Sequence, residues 1–165
     1  MIALAAAAGG DPSVKPWPIG PGPRHRPAAA VLDGRPVGRL RCAAGGATFR
    51  VHLEVFVDRR VVVVPPRIGV GPRCTYPAST SEPTGVVRVR GRLRLRDVFA
   101  LWGQRLAPRR VASFTSPRTV RAYVGGRRFR GDPGHVPLTP HAQIVVELGA
   151  YVPPHRSFLF PRRGR

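Results

Sequence analysis

The sequence is poor in negative charge and in lysine. Only eight of its 165 residues are Asp or Glu, and Lys15 is the single lysine among its 28 basic residues. We expect most of the acidic residues in turns or at outward-facing strand positions, where Asp and Glu ordinarily lie. No two of them have a spacing that suggests an acid–base pair, so the sequence predicts that the protein is not an enzyme.

Other chemical signatures are missing as well. The five histidines and two cysteines show no spacing typical of a zinc site, and no cofactor is expected. The glycines at 69 and 71 are not followed by a predicted helix, which argues against a phosphate-binding loop. No apolar run approaches the length of a membrane-spanning helix. Cys42 and Cys74 have two interpretations: a disulfide in an exported protein, or buried thiols in a reducing compartment.

Arginine, proline and glycine are abundant instead. The formal net charge is +20, and the chain has 20 prolines and 19 glycines, which favours short strands and many turns over long helices. The charge has two explanations. One is a polyanionic partner such as nucleic acid, an acidic polysaccharide or an anionic membrane surface. The other is the residue bias of GC-rich codons, which enriches Arg, Ala, Gly and Pro together.

Composition divides the chain into four parts. Residues 1–10 resemble the last part of a secretory signal, with an A-x-A-type site but no basic start. Residues 11–30 are proline-rich and are predicted to be a disordered linker, residues 31–161 a single β-rich domain, and residues 162–165 a basic tail. This organisation favours a secreted or cell-envelope protein; without a signal remnant at the start, the expectation is a cytoplasmic one.

Hydrophobic periodicity predicts a mainly β fold. Apolar side chains alternate over residues 49–57, followed by a turn and a second apolar run at 61–64. Further strands are predicted at residues 86–95, 119–124, 127–130 and 143–148. Residues 95–102 have apolar side chains at helical spacing and end at Gly103, which predicts one short helix with Trp102 in the core. We expect hairpins in one twisted sheet or a small sandwich with this helix packed on it, for which α+β is the alternative label.

One predicted strand carries a row of arginines. Alternation over residues 86–95 would place Arg88, Arg90, Arg92 and Arg94 on one face. Arginine binds phosphates and carboxylates in a bidentate manner, so this face is a candidate anion-binding surface. The alternative is a solvated strand face in an arginine-rich chain.

From about Cys42 to Pro161 the chain resembles small, mostly uncharacterised exported bacterial proteins with an H-x-H-x-H-L strand and an H-T-H-D loop. The matching positions, in chain order, are His52, Leu53, Val55, Phe56, Val57, Asp58, Pro66, Ile68, Gly69, Cys74, Tyr76, Thr80, Gly85, Val86, Asp97, Val98, Phe99, Trp102, Gly103, Val124, Gly126, Arg127, Gly131, Asp132, Pro133, His141, Gln143, Ile144, Val152, Pro153 and Pro154. The resemblance implies that the chain shares the fold of these proteins.

In the resembling family the histidines cluster as if to hold a transition metal, for which imidazole is well suited. Most of that cluster is replaced here: the histidine positions fall at Thr48, Arg50, His52, Ser79, Ser81 and Arg88, so only one imidazole remains. One histidine cannot build a closed metal site, so the resemblance implies a degenerate site. Arginine and serine in that pocket would suit an anion instead.

Three functions follow as expectations. The first is a non-catalytic, exported or cell-envelope binding or structural domain that has lost the metal site of its relatives. The second is an anion-binding module for acidic glycan or nucleic acid, which would use the arginine row and the arginines and serines of the former metal pocket. The third is a residual transition-metal protein that would use His52, His141 and Cys74.

Overall fold

The structure, a computed structural model, describes residues 25–161, and the predicted signal remnant, most of the predicted linker and the basic tail lie outside this range. The described part contains ten strands, one α-helix and one 3-10 turn. Their bounds are β1 Phe49–Val57, β2 Arg60–Val61, β3 Ala78–Ser79, β4 Val86–Val89, α1 Leu95–Trp102, β5 Leu106–Ala107, β6 Arg110–Val111, β7 Phe114–Thr115, β8 Arg121–Val124, β9 Arg127–Phe129, the 3-10 turn Pro133–His135 and β10 Gln143–Leu148. The prediction of a mainly β fold with one short helix is confirmed.

Seven strands form the main sheet. Their order is β3-β4-β1-β10-β8-β9, and β2 pairs with the end of β1. β1 and β10 run parallel, with His52 opposite Gln143, whereas the other neighbouring pairs in this sheet are antiparallel. A second sheet of three short strands contains β5, β6 and β7. Hairpins therefore form the flanks of the main sheet, and its centre is a long-range parallel pair that hairpin patterns do not predict.

The predicted strands are confirmed at the centre of the sheet and fail in two segments. β1 and β10 have the predicted bounds. The strand predicted at residues 86–95 ends at Val89, because Gly91 turns the chain with a φ of 74°. In the apolar run 61–64, only Val61 belongs to a strand, β2. The next residue, Val62, pairs with His25 in a single parallel bridge.

The helix α1 covers one face of the sheet. Its apolar stripe is buried, and Trp102 has no exposed surface, as expected for a core residue. At the start of the helix the Asp97 carboxylate accepts the Arg94 backbone N–H at 2.8 Å, and at its end Gly103 takes up the left-handed conformation. The Trp102 indole N–H donates to the Pro27 carbonyl at 3.3 Å. The predicted helix, its glycine stop and the core position of Trp102 are confirmed.

Both faces of the main sheet are covered. Val51, Leu53 and Val55 of β1 join the core on the side of α1, which we call the helix face. The alternate side chains of β1 point to the other face, which is covered by residues 151–161. These residues form neither helix nor strand. We call this segment the C-terminal strap and the sheet face beneath it the strap face.

Residues that precede the predicted start of the domain at position 31 also contact it. The His25 backbone N–H donates to the Val61 carbonyl at 3.0 Å, and the Val63 N–H donates to the His25 carbonyl at 2.8 Å. The Ala30 N–H donates to the Trp102 carbonyl at 3.0 Å. The last residues of the predicted linker, 25–30, thus lie against the folded domain.

The two cysteines are joined. Cys42 and Cys74 form a disulfide across a sequence separation of 32 residues, which settles the choice between bridge and thiols. Cys42 also packs against the main core. The described residues contain no helix long and apolar enough to cross a bilayer.

Candidate functional site

The register of the sheet brings together several of the positions at which the resembling family has histidines. Arg50 of β1 lies opposite Arg88 of β4, and Arg88 lies opposite Ser79 of β3. Side chains at directly opposed positions point to the same face, so these three form a row across three strands. His52 shares that face, two residues along β1 from Arg50. Ser81 lies beyond the end of β3 and is exposed, outside this row.

His52 is completely buried between the sheet and the strap. Its Nδ1 lies 2.7 Å from the atom placed as Gln143 Oε1, and its Nε2 lies 2.8 Å from the Thr84 carbonyl oxygen. The Phe158 ring stacks on the imidazole with a centroid separation of 3.6 Å. Burial lowers the pKa of His52, and the Gln143 hydrogen bond and the Glu54 charge only partly oppose this. Both ring nitrogens are engaged by protein groups.

The neutral state of His52 fixes the proton pattern around it. The Thr84 carbonyl can only accept, so Nε2 carries the proton and Nδ1 needs a donor. The Gln143 amide supplies that donor when its NH2 group faces Nδ1. This orientation also gives a partner to the Gln143 amide nitrogen, which is otherwise buried without one. His52 and Gln143 therefore form a neutral hydrogen-bonded pair that joins β1 to β10.

Glu54 is the second buried polar residue of the strap face, and its expected outward position is wrong. Its side chain is only 3 % exposed, and both carboxylate oxygens lie 2.9 Å from His155 Nδ1 in the strap. His52 Nδ1 is 3.7 Å from the same carboxylate. The alternation in β1 assigned Glu54 to the correct face but gave no sign that residues 151–161 cover that face.

Glu147 of β10 is also buried rather than outward. Its side chain has no exposed surface, and the Arg121 guanidinium lies 3.1 Å from its Oε2. Burial raises the pKa of Glu147, and the hydrogen bond and charge of Arg121 partly counteract that rise. Two of the eight acidic residues are thus fixed partners of basic groups within the strap face.

The strap also contacts Arg50 of β1. The Arg50 guanidinium lies 5.3 Å from the centre of the Phe160 ring, and its Nη1 donates to the Pro161 carbonyl at 2.7 Å. The Phe160 ring also contacts His141, with 5.2 Å between the ring centroids. The rings of Phe158 and Phe160 thus hold the strap to the sheet.

The predicted arginine row is divided among three environments, and its expected single face is wrong. Arg88 lies on β4, whereas Arg90 donates through its guanidinium to the Gly45 carbonyl and, at 2.9 Å, to the Thr75 carbonyl. Arg92 and Arg94 follow the turn at Gly91 and line a different surface. The cause is the early end of β4, because the alternation of side chains holds only while the backbone stays extended.

Arg92 and Arg94 border an open groove of about 790 Å³ together with Arg39 and Arg96; we call it the arginine groove. Its apolar floor is formed by Phe49, Leu93, Pro137, Leu138 and Pro140. Arg39 and Arg96 were not predicted to lie here, because no local pattern links residue 39 to the turn at 91–94. Four arginines therefore line one concave surface.

Two of the four guanidinium groups are held in place by other side chains. Arg39 Nη2 lies 2.8 Å from Asp97 Oδ2, and Arg96 Nη1 lies 3.0 Å from His135 Nε2. Among residues 25–161, neither Arg92 nor Arg94 pairs with a carboxylate. The groove thus combines two positioned cations with two that are open to an external anion.

The ligand set of the residual metal hypothesis is not assembled. Cys74 is bonded to Cys42 and has no thiolate to offer, and His52 contacts Gln143 and Thr84. Within the described range, no group of three or more His, Cys, Asp or Glu side chains is placed to hold a metal ion.

Comparisons with known proteins add no relative. No family model, curated protein or solved structure matches the chain. What the protein binds is therefore inferred from the arginine groove, the covered sheet face and the distribution of charge.

Proposed function

We propose that the protein is a non-catalytic, exported or cell-envelope domain that binds an acidic glycan in the arginine groove. The observation that carries the proposal is that four arginines line a single groove of about 790 Å³. Arg92 and Arg94 supply unpaired positive charge at its wall. The Cys42–Cys74 disulfide is consistent with an oxidising compartment.

The chemistry of the groove favours a glycan among acidic polymers. Guanidinium groups bind carboxylates and sulfates with two parallel hydrogen bonds, which adds geometric selectivity to the attraction of charge. The floor of the groove is apolar, with Phe49, Pro137 and Pro140 facing the space between the arginines. An apolar floor with charged walls suits a sugar ring that carries acidic groups at its edge.

The former histidine pocket has a different part in this proposal. The resemblance suggested that arginine and serine at those positions form the anion site themselves. The Arg50 guanidinium, however, donates to the Pro161 carbonyl and lies against the Phe160 ring, so it is already engaged by the strap, and of the two arginines there only Arg88 is exposed. The degenerate metal site then acts as a support for the strap, and the groove beside Arg92 and Arg94 is the binding surface.

The test compares two double variants that remove the same charge. Arg92→Ala with Arg94→Ala is expected to weaken binding of a sulfated or uronate oligosaccharide about tenfold or more, because each arginine contributes a charge-assisted contact. The control is Arg109→Ala with Arg118→Ala, two exposed arginines outside the groove. Affinities are measured by calorimetry at fixed moderate salt.

Two results would contradict the proposal. Equal weakening by both double variants would mean that net charge alone drives binding. Tighter binding of DNA or RNA than of the acidic glycan, with the same dependence on Arg92 and Arg94, would identify nucleic acid as the ligand class.

A further inference from the structure

A second cavity lies apart from the arginine groove and shares none of its lining. Its volume is about 360 Å³, and its walls are mainly the four valines 61–64 with Leu53, Pro83 and Phe158. Among the described residues of this lining, Arg26 alone is charged, and its side chain is exposed. Leu53 and Val62 line the cavity although each is only 1 % exposed to solvent. The cavity is thus an apolar recess with one positive charge.

Arg26 is held beside the cavity by its neighbour in the chain. The His25 backbone is fixed between Val61 and Val63 by hydrogen bonds of 3.0 and 2.8 Å. The His25 ring also packs on Phe114, with 4.3 Å between the ring centroids. Among the residues that the structure describes, no carboxylate pairs with Arg26. The backbone beside this charge is therefore fixed, and within residues 25–161 the charge has no carboxylate partner.

The walls of the cavity are formed by fixed backbone as well as by side chains. The Leu53 N–H donates to the Gly85 carbonyl at 2.8 Å, and Gly85 has a φ of 79°. A side chain at position 85 would collide with the Leu53 carbonyl and with His52, so the glycine keeps this wall in place. Phe158 of the strap forms another part of the lining. The recess is formed before any ligand arrives, which reduces the ordering cost of binding.

We propose that this cavity binds a small amphiphilic anion, a carboxylate that carries a short aliphatic chain. The carboxylate would pair with Arg26, and the chain would lie among the valines of residues 61–64. The proposal follows from charge complementarity, because an apolar ligand without a negative group would leave Arg26 without a partner. The cavity lies near the lower end of the roughly 300–1,000 Å³ range of small-molecule sites, which favours a short chain over a full-length lipid.

The probe is octanoate, measured by calorimetry on the full chain. We expect binding at one site per chain, and Arg26→Gln should weaken it about three- to tenfold, since an exposed ion pair contributes modestly. Arg60→Gln is the matched control, because Arg60 is an exposed arginine of the neighbouring β2 that does not line the cavity. Octylamine, with the same chain and the opposite charge, should bind more weakly than octanoate.

Filling the cavity provides a test that does not depend on charge. Val63→Trp should abolish octanoate binding because the larger ring occupies the recess. Pro83→Trp serves the same purpose from the exposed loop if Val63→Trp does not fold. The proposal is overturned if octanoate fails to bind, if it binds unchanged to the folded tryptophan variant, or if octylamine binds equally well. Loss of octanoate binding in the Arg92→Ala, Arg94→Ala variant would also overturn it, because the anion would then lie in the arginine groove.

Discussion

The two faces of the seven-stranded sheet are buried by different means. On the helix face, apolar side chains of β1 pack against α1 in a continuous hydrophobic cluster. On the strap face, the same strand presents His52 and Glu54, which are covered by an irregular segment through ring stacking and a hydrogen bond. A strand buried on both sides can therefore combine a hydrophobic contact with a polar one, provided that each polar group finds a partner.

The helix α1 and the strap also differ in whether main-chain hydrogen bonds attach them to the rest of the domain. α1 is tied to its surroundings by main-chain bonds such as Leu95 N–H to the Val136 carbonyl and Ala30 N–H to the Trp102 carbonyl. Among the described residues, no main-chain to main-chain hydrogen bond links the strap to the rest of the domain. The strap is attached through contacts that involve side chains, and its Val152 packs in a small second apolar cluster. We therefore expect the strap to open at lower free energy than α1.

The largest effect is expected on the helix face. Trp102→Ala should lower the free energy of unfolding by about 3–5 kcal/mol, because it leaves a large cavity in a fully buried site. Denaturant unfolding followed by circular dichroism measures the change. Leu159→Ala in the strap is the control, since Leu159 is 57 % exposed and should cost little. A loss below about 1 kcal/mol for Trp102→Ala would contradict the distinction between the two faces.

The disulfide should give the next effect. Replacing Cys42 and Cys74 with serine should cost about 3–4 kcal/mol, because a cross-link over 32 residues restricts the unfolded chain. Cys42 packs against the cluster of the helix face, so the loss should add to the instability of that side. The same loss can be measured on the wild-type protein by comparing its denaturant unfolding with and without a reductant. Identical curves in the two conditions would be the contrary result.

A smaller effect is expected from the strap. Phe158→Ala should cost about 1–2 kcal/mol, since the ring is half-buried and loses its stacking on His52. Its main consequence should be local: hydrogen exchange of residues 151–161 should accelerate while the amides of α1 remain protected. If α1 and the strap exchange together in the variant, the strap is not a separately opening unit.

The smallest expected effect is on the pH dependence of stability, and it comes from the buried His52 on the strap face. Burial keeps the pKa of His52 below 6.5 in the folded state, so the unfolded chain binds more protons as the pH falls below that value. The His52 contribution to stability is therefore complete above 6.5 and is lost as the pH falls toward the folded pKa. The difference in unfolding free energy between wild type and His52→Gln should thus narrow on acidification to about pH 5. A constant difference would show that His52 does not titrate with unfolding.

Local sequence patterns were sufficient to predict the elements whose structure depends mainly on their own residues. The alternation in residues 49–57 and the helical spacing of residues 95–102 with Gly103 at its end both predicted the observed structure. Gly125 and Gly126 both take up positive φ, as a tight hairpin turn requires. These features need no knowledge of distant residues.

The features that were not predicted depend on contacts between residues that are distant in the sequence. The parallel pairing of β1 with β10 and the burial of Glu54 by His155 join residues about a hundred positions apart, which no periodicity encodes. The arginine groove likewise unites Arg39 with Arg92 and Arg94 through the fold rather than through spacing. The predicted arginine row failed for a local reason, the turn at Gly91, which the alternating pattern concealed.

The position of β10 has a consequence for how the chain reaches its folded state. His52 and Gln143 face each other in the middle of the sheet although 91 positions separate them along the chain. Until β10 has been made, β1 and β8 have no shared neighbour, and each offers an unsatisfied edge. Assembly of the centre is therefore a late event during synthesis. A chain that crosses a membrane in extended form would gain from this delay, because it could not close its core prematurely.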